Sequence, residues 1–558
     1  MKSISFKNFR RFTDFPEFKF GDITILVGGN NAGKSTLQKA LLLVFDNLKT
    51  LKKKTSKFNI FDDGFETPQF RFDANEFHDL NLGTFGRSLF TGSKEQKMEF
   101  TLQIDNFPIR IIIEPDANGE DLPVAKVALI EVKDIKRHIL YTFNFNTKRM
   151  RIEFEQIKGN GSPEFDKIQA RIEELREELA HEDDAFEAAM ANQELEKLLK
   201  VRNAFVHNVQ EESATAEADI NNYLGIKGER RITNGALPGY IENIEAYTST
   251  IGIKSTPVKG LLDEDEDEDE DEEKGYDTSE EEVWNNSEDD RANEQILADK
   301  RSVILESAAA LESELRRPHV YYIQAHGVSQ KMLYTIDDKN DFMAQAIHEY
   351  ARRGVVHGSF TDTFIRKWMS EFGIGTDYEI KSIGGEGYTF SVITPNGKMN
   401  LADMGMGTNQ LMVLLLSLAT IMFEEGHHGK DGGKSFVPKF IIIEEPEQNL
   451  HPRLQSKLAD LISEVAMDDS YKFLIETHSE YLIRRTQVLV AEMNLENEDE
   501  LEKQNPFRVY YFPANGMPYN MKYLPTGRFE NKFGEGFFDE ASTAALTISK
   551  LERRKKNG

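Results

Sequence analysis

The chain has no cysteine in its 558 residues. That excludes disulfides and any thiolate-bound metal site. An excess of basic charge is also missing: 68 Lys and Arg stand against 96 Asp and Glu, for a formal net charge of -28. Much of that charge is local, because residues 263–290 carry 18 acids and one lysine. The rest of the chain is only mildly acidic. The overall charge does not favour nucleic acid, and it does not exclude a local basic patch. The longest apolar run, "LMVLLLSLATIMF" at 411–423, falls short of the ~20 residues a bilayer span needs. The N-terminus starts on strand-like "KSISF" without the apolar stretch of a signal peptide. A soluble, cytoplasmic protein with no membrane contact is expected, long enough for roughly three to four domains.

The stretch "VGGNNAGKSTLQKALLLVF", residues 27–45, carries the first chemistry. Gly28 and Gly33 bracket four residues, and Lys34 and Ser35 follow, which is the spacing of a phosphate-binding loop. Glycines let backbone N–H groups turn toward anionic oxygens. Lys34 is expected on the β- and γ-phosphates and Ser35 on Mg²⁺. Asn30, Asn31, Ala32 and Thr36 complete the loop. The apolar "DITILVGG" before it reads as a strand, and the run after it opens a helix whose N-terminus adds positive potential.

Residues 1–155 read as an α/β lobe whose later segments, among them "KMEFTLQID", "PIRIIIEP" and "AKVALIEVK", imply an antiparallel sheet. Residues 156–317 read as a helical insertion. Within it, Ile168, Ile172, Leu175, Leu179 and Phe186 fall at heptad-like steps, and 263–290 is an acidic segment expected to be disordered. Residues 318–545 form a second α/β lobe, with a helix at 361–372 and a hairpin turning at Asn396–Gly397. A basic tail, 546–558, follows.

Three motifs in the second lobe complete a site. "KFIIIEEPEQNLHP" (439–452) is a buried strand ending in two carboxylates, where open α/β sheets place ligands. Glu444 is expected to orient Mg²⁺ and Glu445 to polarise the attacking water. "YKFLIETHSEYLIRR" supplies a further strand, and His478 at its end can donate to the γ-phosphate. "NLADMGMGTNQL" sets Gly405, Gly407 and Thr408 at a second helix start suited to anions. One nucleotide cannot use both helix starts of one chain without steric conflict. A head-to-tail pair, each nucleotide caught between two chains, is therefore expected.

In order and content, these motifs resemble the ABC/SMC-type ATPases, and within them the bacterial OLD-like AAA ATPases. The carrying residues are "NFRRF…ITILVGGNNAGKST", "MGMGTNQL", "IIIEEPEQNLHP" and "IETHSEYLIRR". The resemblance implies an α/β fold: an ABC-type P-loop ATPase head with a mixed sheet, flanking helices, an antiparallel β subdomain and a helical insertion. It implies ATP and Mg²⁺ as cofactors, with Lys34 on phosphate and Ser35 and Glu444 on the metal. It makes Glu445 the catalytic base and His478 the switch residue. Gly405, Gly407 and Thr408 become the contacts to the partner's γ-phosphate, and Asn449, Leu450 and His451 the loop that crosses the dimer. Glu444 stands where many relatives carry Asp. The nuclease domain that some members append is not expected in the 80 residues after His478.

Such ATPases act beside a separate effector, often a nuclease, in antiphage systems such as Septu, PARIS and some retrons. The resulting expectation is a homodimer or higher homo-oligomer that senses a trigger and controls an effector, with DNA or RNA as a further partner. The alternatives are a DNA-repair or DNA-end-binding SMC-like ATPase, or an ATP-gated scaffold with slow turnover. A transporter subunit is disfavoured by the helical insert. Local support for nucleic acid comes from "LKTLKKKTSKF" (48–58) and "RRKK" (553–556).

Overall fold

A computed structural model describes residues 1–51, 68–73, 82–116, 119–147, 149–154, 171, 230–231, 303–311, 314, 319–324, 328–423, 439–468, 470–534 and 537–557. The heptad-like run (Arg171 apart), the acidic segment 263–290 and the lysine stretch beyond residue 51 lie outside these residues.

Two phenylalanine-rich strands, β1 (Ser3–Phe9) and β2 (Phe12–Lys19), open the chain as an antiparallel pair. β3 (Ile23–Gly28) then runs into the glycine loop and helix α1 (Lys34–Leu51). Next come β4 (Gln69–Arg71), α2 (Phe85–Ser88), β5 (Met98–Ile104), β6 (Phe107–Pro115), β7 (Val124–Asp134), β8 (Ile139–Asn144), β9 (Arg149–Phe154) and β10 (Arg230–Arg231). These strands, without β3, form an antiparallel sheet in the order β10-β9-β8-β7-β6-β5-β1-β2, with β4 on β7. Alternate residues of β5 and β6 are buried, so one face of this sheet makes a core. On it Phe6 stacks on Phe15 at 4.4 Å between ring centroids, and Phe9 meets Phe100 edge-on. The helical residues 303–311 join the same core through Ile304, Ala308 and Leu311. Ser307 ties them down by donating to Asp134 at 2.6 Å.

The second lobe runs β11 (His319–Gln324), β12 (Tyr334–Thr335), α3 (Phe342–Arg352), α4 (Phe360–Glu371), β13 (Asp377–Ile383), β14 (Gly387–Thr394), β15 (Gly397–Asn400) and α5 (Met406–Phe423). It continues with β16 (Lys439–Glu444), α6 (Pro452–Ala466), β17 (Tyr471–Glu476), α7 (Glu480–Glu492), α8 (Glu498–Gln504), β18 (Phe507–Phe512), β19 (Tyr519–Met521) and α9 (Glu540–Asn557). The expected helix with Trp368 is α4, and the expected hairpin is β14–β15. The tail anticipated at 546–558 is the end of the exposed helix α9.

The two lobes share one sheet, in the order β11-β16-β17-β3-β18-β19. Every pairing in it is parallel except β18 with β19. β3 from the start of the chain is clamped between two strands from its end. Its residues are buried throughout, as a central parallel strand requires.

The sheet's alternating side chains separate two cores. Leu26, Phe440, Ile442, Leu474 and Phe512 join α1 and the antiparallel sheet on one side. Ile25, Val27, Ile441, Ile443, Phe473, Ile475 and Val509 join α3 to α7 on the other. Helix α5 belongs to that second core. It is the one helix among the described residues long and apolar enough to cross a membrane, and most of it is buried inside the protein.

Candidate active site

The C-terminal ends of four neighbouring parallel strands define the site. Gln324, Glu444, Glu476 and Leu26 lie side by side in register on β11, β16, β17 and β3. The glycine loop rises from β3 beside them. Gly28 has φ +146, and a Cβ there would lie 2.2 Å from the Phe512 carbonyl oxygen, so only glycine fits. Gly33 has φ +107 and faces the Phe12 ring, which a Cβ would meet at 2.5 Å. Arg11 braces the loop from outside by donating to the carbonyls of Asn31 and Ala514.

Lys34 is folded into its own loop. Its ammonium donates to the carbonyls of Gly28 and Gly29, both at 2.9 Å, and pairs with Glu476 at 3.7 Å. The Ser35 hydroxyl donates to the same carboxylate, 3.3 Å from Oε1 and 3.2 Å from Oε2. Burial lowers the Lys34 pKa from its ordinary value, and the Glu476, Glu445 and Glu447 charges oppose that fall. Burial pushes the Glu476 carboxyl up to about 7; Lys34 opposes this, and the Glu444 charge adds to it.

Glu445 follows the end of β16 at φ +43, a left-handed conformation that costs a side-chain-bearing residue about 1–2 kcal/mol. Its N–H donates to the Glu476 carbonyl at 2.8 Å, which fixes the turn. The turn delivers the Glu445 carboxylate 3.5 Å from His478 Nε2. Gln448 donates to its other oxygen. His478 is held through its backbone, whose N–H donates to buried Glu447 at 2.6 Å. Burial, reinforced by the Lys34 charge, keeps the imidazole pKa below its usual value, and Glu445 opposes that. Lys34, Ser35, Glu445 and His478 are thus brought together around Glu476.

Glu444, the expected metal-side acid, lies in register with Glu476 at the end of β16. It accepts from the Tyr322 hydroxyl at 2.5 Å, while the carboxylate on Ser35 is Glu476. Neither Glu476 nor Tyr322 was singled out in the sequence. The usable signal for Glu476 was its place as the last residue of a parallel strand, in register with Glu444.

Gly405, Gly407 and Thr408 stand at the start of α5, whose core lies across the sheet from that of α1. Gly407 is pressed against the loop after β16: a Cβ there would lie 2.5 Å from the Asn449 carbonyl oxygen. Asn449, at φ +56, also donates to Gln410 at 3.3 Å. Gly405 is exposed, with nothing within 4 Å of a Cβ built on it. His451 caps α6, ahead of Pro452 in its first turn.

The family described as AAA ATPase domain matches residues 1–483. The chain belongs to the AAA ATPase-domain family. It is an ATP-hydrolysing enzyme, built on the ABC-type α/β head, with antiparallel subdomain, that its motifs implied. No curated protein matches it. Among solved structures it is similar to the Smc head domain of Pyrococcus furiosus with an extended coiled coil, bound to the C-terminal domain of ScpA. There the identity is 10%, with 99% of each chain covered and a TM-score of 0.30. It is also similar to the SMC head domain of Thermotoga maritima, at 10% identity and TM-score 0.29, covering 93% of this chain and 98% of that one. The fold assignment rests on the strand order and the family match.

Family membership implies ATP and Mg²⁺, and the donors present suit that ion. Ser35, Glu476 and Glu445 offer hard oxygens, and atoms of Glu445, Glu476 and His478 lie within 4.8 Å of one another. A pH effect follows for this AAA ATPase. Because burial raises the Glu476 pKa to about 7, the stability linked to its neutral form is complete below about 4.5 and lost as pH rises through about 7. Glu476→Gln cannot ionise. Its melting temperature relative to wild type is expected to climb between pH 5 and pH 8. A difference that stays flat would remove the buried-carboxylate account.

Proposed function

We propose that this ATPase closes as a head-to-tail homodimer around two ATP molecules, and that closure and hydrolysis do work on a bound partner. The observation that carries this reading is the division of phosphate-binding groups in one chain. Lys34, Ser35, Glu445 and His478 converge at one place, whereas the second anion-suited helix start, Gly405–Thr408, belongs to the opposite core. In the closed pair Lys34 holds the β- and γ-phosphates, and Ser35 with the neighbouring carboxylates holds Mg²⁺. The ion neutralises phosphate charge. Glu445 accepts a proton from the attacking water, and His478 donates to the γ-phosphate. Gly405, Gly407 and Thr408 of one copy cover the nucleotide of the other, and Asn449 to His451 cross between them.

The partner reading favoured is DNA, as in DNA-maintenance ATPases of SMC type in the cytoplasm. The five lysines of 48–58 support it. Control of a separate effector, such as a nuclease in antiphage defence, is the second reading. It is favoured by "EEPEQNLHP" and "IETHSEYLIRR". Duplex DNA retained with ATP at low salt and released at high salt supports the first. A co-purifying effector with no DNA retention supports the second.

The dimer itself has a direct test. Gly405 is open to solvent, so Gly405→Trp is expected to leave the fold and ATP binding by a single chain intact. It should abolish the ATP-dependent doubling of mass seen by light scattering. If the tryptophan variant pairs as wild type does, the second helix start is not part of the closed site.

A further inference from the structure

An unbroken run of contacts joins the Gly405–Thr408 turn to the segment that carries His478. Gly407 presses on the Asn449 carbonyl, whose oxygen a Cβ would meet at 2.5 Å. The next carbonyl, that of Leu450, accepts from Gln455 Nε2 at 3.0 Å. Gln455 lies in the first turn of α6, and its Oε1 accepts from the Ser479 hydroxyl at 2.6 Å. Ser479 is 4% exposed and directly follows His478. Its oxygen also accepts the Leu482 N–H at 3.1 Å, capping α7. A second link runs beside the first. The Leu450 N–H donates to the Glu447 carbonyl at 3.2 Å, and Glu447 Oε1 accepts the His478 N–H at 2.6 Å.

The bonds through Gln455 have a fixed direction. A carbonyl can only accept, so the amide nitrogen faces Leu450. The amide oxygen then takes the Ser479 proton. Glutamate has no donor for Leu450, and methionine has neither group. A network satisfied in this way is stiff, so a shift of Leu450 is passed on to Ser479 and His478. We propose that Gln455 is a positioning residue that carries partner docking at Gly405–Thr408 to His478. Each chain then hydrolyses its own ATP only while it covers the nucleotide of its partner. The inference deepens the head-to-tail homodimer reading and rests on it.

The test compares turnover with assembly in full-length protein. Gln455→Met keeps the length of the side chain and loses both bonds. It is expected to double its mass with ATP as wild type does, with KM within about 3-fold and kcat at least about 10-fold lower. Ser479→Ala should lower kcat likewise, and Ser479→Thr, which keeps the hydroxyl, should restore it. Melting curves identify the folded variants. A Gln455→Met dimer with wild-type kcat overturns the proposal. So does a folded Gln455→Met protein that no longer pairs, because Gln455 would then support the interface itself. Ser479→Ala with wild-type kcat overturns it without the Gln455 variant. The homodimer reading fails separately, if wild-type protein stays a single chain with ATP.

Discussion

Lys34→Ala is expected to weaken ATP binding by about 100-fold or more and to remove turnover. The ammonium is 3% exposed and already sits among the acceptors of its own loop, so it is positioned before nucleotide arrives. Phosphate oxygens have only to replace two carbonyls. Without that cation, the charges nearest the phosphates are the Glu476, Glu445 and Glu447 carboxylates whose fields act on Lys34. The substitution therefore removes an attraction and uncovers a repulsion. The fold should survive it. Glu476 loses its cation but can take a proton, a cheaper outcome than an unpaired buried charge. Calorimetric titration with MgATP, beside a melting curve, checks both halves. Near wild-type affinity in a folded variant would show that the loop does not hold the triphosphate through this side chain.

Glu445→Gln is expected to slow hydrolysis by about 100- to 1,000-fold while ATP stays bound and the dimer persists. Glutamine has the same length and can keep the contact to Gln448, so the left-handed turn at φ +43 is undisturbed. What disappears is the proton acceptor facing His478. One negative charge beside the phosphates also disappears, which favours retention of ATP. Phosphate release and light scattering on one sample give the two readouts. Wild-type turnover would show that the base lies elsewhere; slow turnover with a dissociated dimer would show that Glu445 also holds the interface.

The parts of this site legible in the sequence are those written by neighbouring residues. The glycine spacing before Lys34, the apolar strand before Glu444 and Glu445, and the one before His478 each announce a local shape. Fold class followed from them. The meeting of Glu476 with Ser35 joins residues 441 positions apart, and that of Tyr322 with Glu444 joins residues 122 apart. Those contacts are set by strand order and register, which no local pattern encodes. Gly407 lies between the two cases. Its motif marked a helix start, but the Asn449 carbonyl against it became visible only when the loop after β16 was placed.

The strand that carries the phosphate loop has a consequence for how the enzyme is made. β3 is finished by residue 28, yet its two neighbours end at residues 476 and 512. A nascent chain that has left the ribosome only through its first lobe holds every glycine of the loop and has no sheet to set them in. Closing so distant a contact is slow and comes late. Nucleotide binding is thereby withheld until the strands ending at residues 476 and 512 have been made, and a translation product that stops short of them cannot compete for ATP.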